Sequence, residues 1–464
     1  MAKGTTSKIK TAIVSVLSLV LGLIIGSIAN IYISLPDSYG IPAKVQSSGS
    51  VSAGQVNVET ITNKDLSIHF LELGNKYTGD CTLVKVGDTE MLIDAGSKAS
   101  SIPTIKQYID TYCTDGILEY VVVTHAHEDH YAGFATNEET QSLFDIYTVK
   151  NIIDFGEGTN KTTANKMYAN YIRERDAEVA ASAEYHRAID FINEIGERKQ
   201  KFELKKDSGV YVEMLYHKYL NKGTEADTEN DYSVCLQIVY DDKYYLFTGD
   251  LEEDGEESLV ENHELPTGKN YQMLHEVEVY KAGHHGSKTS STDKLMQVIK
   301  PDVVCVCCCA GSSEYTSKNE NQFPTQEFVN NVYEANPNAK IYVTTFCVDY
   351  KANAFQSFNG NIVIGVNLGD ESVNVFCSNN SIDLYNTDWF KQNRTLPTSD
   401  WLWRIEKKLK NKKSSCFTAT FFGFDVGQIP IQNQICKEEF LMITYKQRKN
   451  FSKKSIAKYI KEVV

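Results

Sequence analysis

Three histidines and two carboxylates occur within six residues of the chain, His125-Ala-His127-Glu-Asp129-His130. They follow residues 118–124, a continuous apolar run rich in valine that predicts a buried strand. Imidazole nitrogens and carboxylate oxygens are natural zinc ligands, and a catalytic zinc keeps one position open for water. Packing alone does not explain this segment, because burying so many ionisable groups without a counter-ion is costly. The spacing therefore predicts a metal site.

Three other segments place polar side chains directly after apolar runs. Asp94 ends Leu92-Ile-Asp-Ala-Gly96, Asp250 ends Leu246-Phe-Thr-Gly-Asp250, and two histidines occur in Lys281-Ala-Gly-His284-His285-Gly-Ser-Lys288. Each segment alone is weak evidence, because an aspartate after a strand commonly forms a turn or a cap. Their order and their positions at strand ends predict that they meet the 125–130 motif at one edge of a sheet.

Taken together, these segments resemble the metallo-β-lactamase superfamily, whose signature is His-x-His-x-Asp-His, over about residues 66–370. The resemblance implies an α/β fold, the four-layer αββα sandwich of that superfamily. It also implies that Asp94 supports the site from a strand end and that Asp250 bridges two metals. His284 corresponds to the late histidine of the family. The implied activity is metal-dependent hydrolysis.

The same resemblance implies two sets of metal ligands. One set is His125 and His127, with Asn230 as a further candidate; the other is Asp129, His130 and His284, and Asp250 lies between them. Asp129 is also the candidate for orienting the attacking water, and we assign His285 to the substrate side. The choice between the two adjacent histidines stays open. Zinc is the expected metal, as one ion or two, and manganese is the alternative.

A narrower resemblance is to the ComEC-like branch of metallohydrolases. It rests on residues 230–236, 246–250 and 283–291, and it puts Asn230 where other members have a zinc-binding histidine, since His217 lies upstream on a different strand. Two departures count against a nuclease specifically. The chain has a single apolar segment in place of the channel helices, and no histidine precedes Pro324.

The loop after the histidine pair predicts contact with an anion. Ser287, Lys288 and Thr289 precede a helix expected at residues 292–299, and backbone amides at a helix N-terminus bind anions. Simple capping by Ser or Thr is the alternative. We therefore expect a phosphodiester substrate, with nucleic acid or a phosphorylated envelope component as candidates. The expected substrate-binding residues are Ser287, Lys288 and Thr289, together with Asn230. A lactam, lactone or thioester hydrolase, or a binding protein without catalysis, are the alternatives.

The termini differ from the body in composition. Lysines precede an uncharged run over residues 11–35, which predicts a cytoplasmic stub and one transmembrane anchor in residues 1–35, with the body outside the cytoplasm. A removable signal peptide, and hence secretion, is the alternative. Residues 36–64 are predicted as a flexible linker, residues 65–385 as the hydrolase domain, and residues 386–464 as a basic extension of unknown role. No obligate protein partner is expected.

The body alternates predicted strands and helices, as an α/β layered plan requires. Residues 162–201 are expected to be mostly helical because Ala, Glu and Arg are prominent there. The cysteines of 303–310 are interpreted as buried free thiols of a core strand, with a metal cluster as the alternative. The formal net charge of −14 argues against a surface that binds nucleic acid throughout.

Overall fold

The computed structural model describes residues 56–135, 141–159, 165–192, 201–220, 223–261 and 274–397. The predicted membrane anchor, residues 36–55 of the predicted linker and residues 398–464 of the predicted extension lie outside this part of the chain. None of the helices in the described ranges is both long enough and apolar enough to cross a bilayer. Apart from Pro397, the described residues belong to the first of two compact units, Met1–Leu396.

Strands make up most of the regular structure. In chain order they are β1 Leu66–Phe70, β2 Thr82–Val86, β3 Thr89–Ile93, β4 Ile117–Val123, β5 Thr148–Asp154, β6 Glu184–Arg187, β7 Lys201–Glu203, β8 Tyr211–Leu215, β9 Cys235–Tyr240, β10 Lys243–Phe247, β11 Val279–Lys281, β12 Val303–Ala310, β13 Lys340–Asp349, β14 Ala354–Ser357, β15 Ile362–Val366 and β16 Asn374–Cys377.

These strands form two eight-stranded sheets. The first has the order β16-β15-β1-β2-β3-β4-β5-β6, and the second has the order β14-β13-β12-β11-β10-β9-β8-β7. Strands β3 to β6 run parallel in the first sheet, and β10 to β13 run parallel in the second. Because parallel strands end at the same edge, the segments after β3 and β4 come together, as do those after β10 and β11. The α/β plan with two central sheets is confirmed.

Helices connect and cover the sheets. They are α1 Val58–Thr62, α2 Ile102–Tyr112, α3 Glu128–Tyr131, α4 Leu143–Ile146, α5 Lys166–Ala181, α6 Glu253–Glu261, α7 Asp293–Ile299, α8 Gln326–Ala335 and α9 Asp388–Asn393. Helix α2 contains Pro103 in its first turn, where the missing amide hydrogen costs nothing. Its buried face, which includes Ile105 and Ile109, joins the larger core.

Strand β12 shows how the two cores are separated. Every residue of β12 is buried, and successive side chains point to opposite faces of the sheet. One face, with Val303, Cys305 and Cys307, belongs to the core that also contains residues of the first sheet. The other face, with Val304, Val306 and Cys308, belongs to a second core, which it shares with helices α6 to α8. All nine cysteines in the described residues are free, so the prediction of buried thiols in this strand is confirmed.

Two sequence-based boundaries differ from the structure. The prediction that residues 162–201 are mostly helical is wrong over residues 182–187, because Ser182 adopts a left-handed conformation and the chain then forms β6. Pairing with β5, with Ile152 opposite Tyr185, overrides the local helix propensity. The other difference is α1, a capped helical turn that lies inside the predicted linker.

A buried histidine on β1 gives the fold a specific acid sensitivity. The ring of His69 lies between the Tyr108 hydroxyl and the Ser67 hydroxyl, each 2.8 Å from a ring nitrogen. Burial, with a smaller contribution from Lys85, lowers its pKa from 6.5 to about 3. Below pH 6.5 His69 therefore binds a proton in the unfolded chain but stays neutral in the folded chain until the pH approaches 3. The stability contributed by neutral His69 is present above pH 6.5 and is lost as the pH falls toward 3.

We expect His69 alone to remove about 2 kcal/mol of unfolding free energy between pH 7.5 and pH 5. Urea unfolding of the wild type and of His69→Phe at both pH values tests this. The difference in stability between the two proteins should change by that amount, because phenylalanine does not titrate. Leu368→Ala, which removes an exposed side chain that does not titrate, is the control and should leave the pH dependence unchanged. Parallel pH dependences for the wild type and His69→Phe would contradict the expectation.

Candidate metal centre

The ends of β3 and β4 are joined by one carboxylate. Asp94 accepts hydrogen bonds from the Thr124 backbone amide and from the Thr124 hydroxyl, each at 2.8 Å. Asp94 Oδ2 also lies 2.8 Å from His130 Nδ1. The side chain predicted to support the site thus lies directly behind one of its imidazoles.

The turn after Asp94 lies against the backbone of the histidine motif. Ala95 donates its amide hydrogen to the His130 carbonyl at 2.8 Å, and Asp80 donates to the Asp129 carbonyl at 3.1 Å. A Cβ atom at Gly96 would lie 1.6 Å from the Asp129 carbonyl oxygen. Only glycine permits this approach, so the Asp-Ala-Gly sequence fixes the position of the 125–130 loop.

Four imidazoles converge on a single carboxylate oxygen, Oδ2 of Asp250. The Nε2 atoms of His130 and His285 lie 3.3 and 3.4 Å from it. Those of His284 and His125 lie 3.9 and 4.0 Å from it. Ligand atoms about 2.0–2.1 Å from one tetrahedral zinc are roughly 3.3 Å apart, so these separations suit atoms that share cations.

Each of these four imidazoles is held at its other nitrogen, Nδ1. Thr124 Oγ1 is 3.2 Å from that atom of His125, and Asp94 is beside His130. His285 has the Cys307 carbonyl at 3.0 Å and Asp80 at 3.2 Å. His284 has Thr289 Oγ1 at 3.1 Å and Glu252 Oε1 at 3.2 Å. An oxygen at Nδ1 fixes the ring and leaves Nε2 for a metal.

The remaining motif residues complete the rim of this group. His127 Nδ1 is 3.1 Å from His125 Nε2. Asp129 Oδ2 is 3.5 Å from His285 Nε2 and accepts a hydrogen bond from the Tyr315 hydroxyl at 3.1 Å. Tyr315 is 59% exposed, so Asp129 lies where the site opens to solvent.

A buried ion pair that the sequence analysis missed lies beneath the site. Lys281 on β11 pairs with Asp80, and its Nζ lies 3.8 Å from Asp250 Oδ1. Both side chains of the pair are almost fully buried. Asp80 belongs to the group of side chains, with His130, Asp250 and His285, whose possible ligand atoms lie within 4.8 Å of one another. The only sequence signal for Asp80 was its position just before β2.

The electrostatics of the group follow from this close approach of opposite charges. Burial opposes protonation of His130 and His285, but Asp250 with Asp94 or Asp80 outweighs it and raises both pKa values well above the ordinary one. Burial likewise opposes ionisation of Asp250, yet His285 and His130 hold its pKa well below normal. His125 differs, because burial together with His130 lowers its pKa. The carboxylates of this centre therefore attract positive charge strongly.

The donor set fits one or two divalent cations. The Nε2 atoms of His130 and His285 and Oδ1 of Asp250 are buried and have no aligned hydrogen-bond partner among the described residues. Unpaired buried polar atoms are rare in proteins and call for an explanation. Cations bound among these nitrogens and carboxylates would satisfy them, and nitrogen with oxygen donors is the combination that zinc takes.

The histidine pair is arranged differently from the sequence-based assignment. We predicted His284 as the ligand and His285 on the substrate side, but the structure buries His285 within the donor group and leaves His284 22% exposed beside Glu252. Both residues have left-handed backbones, with φ of 45° and 54°, which turn the two rings apart. Sequence alone does not indicate which ring turns inward.

Two of the predicted substrate-binding residues instead contact a carboxylate that we had not predicted. Asn230 Nδ2 and Thr289 Oγ1 donate to Glu252 Oε1, at 3.0 and 2.9 Å. Ser287 is buried with its hydroxyl 3.0 Å from that of Thr289, whereas Lys288 is exposed. Of the four candidates, Lys288 is the one placed to meet an anion from solvent.

The N-terminus of α7 shows the capping that was the alternative to anion contact, because the Thr292 side chain accepts the Leu295 backbone amide. The carboxylate of Glu256 accepts the backbone amides of Ser291 and Thr292, at 2.6 and 2.8 Å. These two amides lie immediately before α7, which begins at Asp293. Burial raises the pKa of Glu256 to about 7, against the opposing effect of those hydrogen bonds. The protein's own carboxylate therefore occupies this position.

Comparison with known families agrees with this architecture. The sequence profile of the family described as the Metallo-beta-lactamase superfamily matches residues 74–137, a span that includes Asp94 and the whole 125–130 motif. The described part of the chain has a metallo-β-lactamase-like α/β fold of two sheets. In this fold the matched span supplies β2 to β4 and the loop that bears the histidines, while the second sheet supplies Asp250 and the histidine pair.

Several solved structures are also similar to the chain. YhfI from Bacillus subtilis is 11% identical, with a TM-score of 0.35, over 65% of this chain and 99% of its own. CmlA from Streptomyces venezuelae, a diiron β-hydroxylase, is 10% identical, with a TM-score of 0.30, over 58% and 47%. A metallo-β-lactamase with a HARLDQ motif from Cronobacter sakazakii is 16% identical, with a TM-score of 0.23, over 37% and 58%.

At these TM-scores we draw no conclusion about function from the three structures. The chain spans about half the length of CmlA and of the Cronobacter sakazakii protein. None of the curated protein sequences compared with the chain matches it.

Proposed function

We propose that this chain is a zinc-dependent hydrolase that cleaves phosphodiesters. The observation that carries the proposal is the convergence of four imidazole Nε2 atoms on Asp250 Oδ2, with Asp129 at the rim. A carboxylate shared in this way suits two cations about 3.5–4 Å apart, an arrangement used in phosphoryl displacement. Nucleic acid and a phosphorylated envelope component are the substrate candidates, as in the ComEC-like branch that the sequence resembles.

The side chains have separate roles in this proposal. His125 and His127 would hold one cation, Asp129, His130 and His285 would hold the other, and Asp250 would serve both. Zinc, or manganese as the alternative, would make a water acidic enough to ionise near neutral pH and would supply positive charge toward a developing oxyanion. Asp129 is 19% exposed and can accept a hydrogen from a water that enters from solvent. Tyr315 holds that carboxylate in place.

The substrate's negative charge has few partners on the protein itself. Glu256 accepts the two amides just before α7, and Thr292 caps the first turn of this helix. We therefore assign the phosphate group to the cations and to exposed Lys288. This supports a substrate bound mainly through its reacting phosphate.

We also propose that residues 1–35 anchor the chain with this site outside the cytoplasm. Membrane fractionation of the full chain and of a chain without residues 1–35 tests the anchor.

The proposed activity is tested with the purified full-length chain after counting its bound metal. The substrates are a bis-aryl phosphodiester, single-stranded DNA, a β-lactam, a lactone and a thioester. We expect turnover of the phosphodiesters, its loss after chelation, its return with zinc, and at least a hundredfold reduction in Asp129→Asn, as is typical for loss of a general base. A chain that binds no metal would refute the proposal. Turnover confined to the lactam, lactone or thioester would replace the substrate class.

A further inference from the structure

The histidine pair offers one imidazole to each half of the centre. His285 belongs with the second set of ligands, because its Nε2 lies 3.5 Å from Asp129 Oδ2 and its ring centroid lies 5.3 Å from that of His130. The ring of His284 is separate from that of His285, with the two centroids 6.2 Å apart and the ring planes 67° apart. Its Nε2 still points toward Asp250, 3.9 Å from Oδ2.

The surroundings of His284 repeat the pattern of the three deeper imidazoles. His130 has Asp94 behind Nδ1, and His285 has Asp80 in the same place. His284 has Glu252 there, at 3.2 Å. An exposed histidine with no role in the centre would not need a carboxylate and a hydroxyl to fix its ring. The repeated pattern of oxygen at Nδ1 and Asp250 at Nε2 marks His284 as a fourth imidazole ligand.

The contacts of Glu252 show which half of the centre His284 completes. Asn230 donates to the same carboxylate oxygen that approaches His284. By the sequence resemblance, Asn230 lies where a third histidine would join His125 and His127. The Nδ2 group of Asn230 is thus engaged with Glu252, and its Oδ1, a weaker ligand than an imidazole, is buried without a hydrogen-bond partner among the described residues. The imidazole of His284 faces Asp250. The ligand set of His125 and His127 lacks the third imidazole that the family provides. His284 is near Asp250 and is not part of the other ligand set, so it can supply that imidazole.

We propose that His284 and His285 bind different metal ions, His284 with His125 and His127, and His285 with Asp129 and His130. Glu252 is a positioning residue that holds His284 through Nδ1, and Asn230 acts through Glu252. The inference rests on the proposed metal-dependent function. The consecutive left-handed conformations of the pair, with φ of 45° and 54°, are what direct adjacent side chains to two separate sites. Residues other than glycine seldom adopt this conformation, and strain of this kind clusters at functional sites.

The test counts and characterises metal rather than activity alone. The full-length chain is stripped with a chelator and titrated with Co²⁺, which reports its ligands through visible absorption. Variants are His284→Asn and His285→Asn, because asparagine tolerates the left-handed backbone better than alanine. Glu252→Gln tests positioning, and His186→Asn, at a half-exposed site outside the centre, is the matched control. Circular dichroism of the metal-free proteins establishes that each variant folds.

We expect two Co²⁺ per wild-type chain and per His186→Asn chain. Each pair variant should keep one tight Co²⁺ and bind the second at least a hundredfold more weakly, and the two retained ions should have different absorption spectra. Glu252→Gln should weaken one site by about 10- to 100-fold, the usual effect of losing such a carboxylate.

Two ions bound by His284→Asn with wild-type affinity would overturn the inference while leaving the proposed function intact. The inference is also overturned if the wild type binds a single ion, or if both pair variants lose the same ion. No metal in the wild type would instead remove the proposed function itself. Separate losses, one ion per variant, support the assignment.

Discussion

The Asp250→Asn variant is expected to lose tight metal binding and to reduce hydrolysis by about a thousandfold or more. Stabilisation of transition-state charge by bound metal is worth several kcal/mol, and each 1.36 kcal/mol corresponds to tenfold in rate. Asp250 is the anion that faces four imidazoles, so a neutral amide would leave bound cations without the carboxylate they share. Burial also prevents water from compensating, because its side chain is 2% exposed.

Metal content by mass spectrometry and turnover of the phosphodiester substrate are the measurements for this variant. Asp254→Asn removes an exposed carboxylate four residues away on α6 and serves as the control. It should retain both metal and activity. Full metal content in Asp250→Asn would show that the shared carboxylate is not a ligand.

The Lys281→Met variant is expected to unfold with about 3 to 5 kcal/mol less free energy than the wild type. The substitution keeps an unbranched, mostly apolar side chain but leaves Asp80 as a buried charge without its closest cation. Removing one partner of a buried ion pair lowers the free energy of unfolding far more than removing both, because a single partner leaves an unpaired buried charge. The double variant Asp80→Asn with Lys281→Met should therefore recover part of the loss.

Urea unfolding in the presence of a chelator measures this effect without a contribution from metal binding. Lys294→Met is the matched control, because Lys294 pairs with Glu257 on the surface, where about half of each side chain is exposed. Lys294→Met should lower the free energy of unfolding by no more than about 1 kcal/mol. Equal costs for the two lysine variants would mean that the pair beneath the centre contributes no more than an exposed one.

The sequence was most informative where chemistry and order along the chain coincide. The histidine motif directly follows β4, and Asp94 and Asp250 follow β3 and β10, so local patterns predict both the strands and what lies at their ends. The free thiols of β12 were predictable for the same reason, since continuous apolar runs are typical of buried strands.

Contacts between distant segments could not be predicted in this way. Asp80 and Lys281 come from different sheets, and Glu256 reaches amides about 35 residues further along the chain. The direction of each ring in the histidine pair depends on two left-handed residues, a backbone choice that residue type alone does not determine for histidine. The sequence therefore predicted the histidine motif, but it did not predict the contacts that distant segments make around it.

The alternation along β12 makes its thiols reporters of local opening. Cys305 and Cys307 are shielded by the layer between the two sheets, whereas Cys308 is shielded by the helices on the far side. A thiol becomes reactive only when its covering layer moves away, and proteins open in cooperative parts with separate free energies. The rates at which these neighbouring cysteines are alkylated therefore distinguish parting of the sheets from detachment of the helices within a single strand.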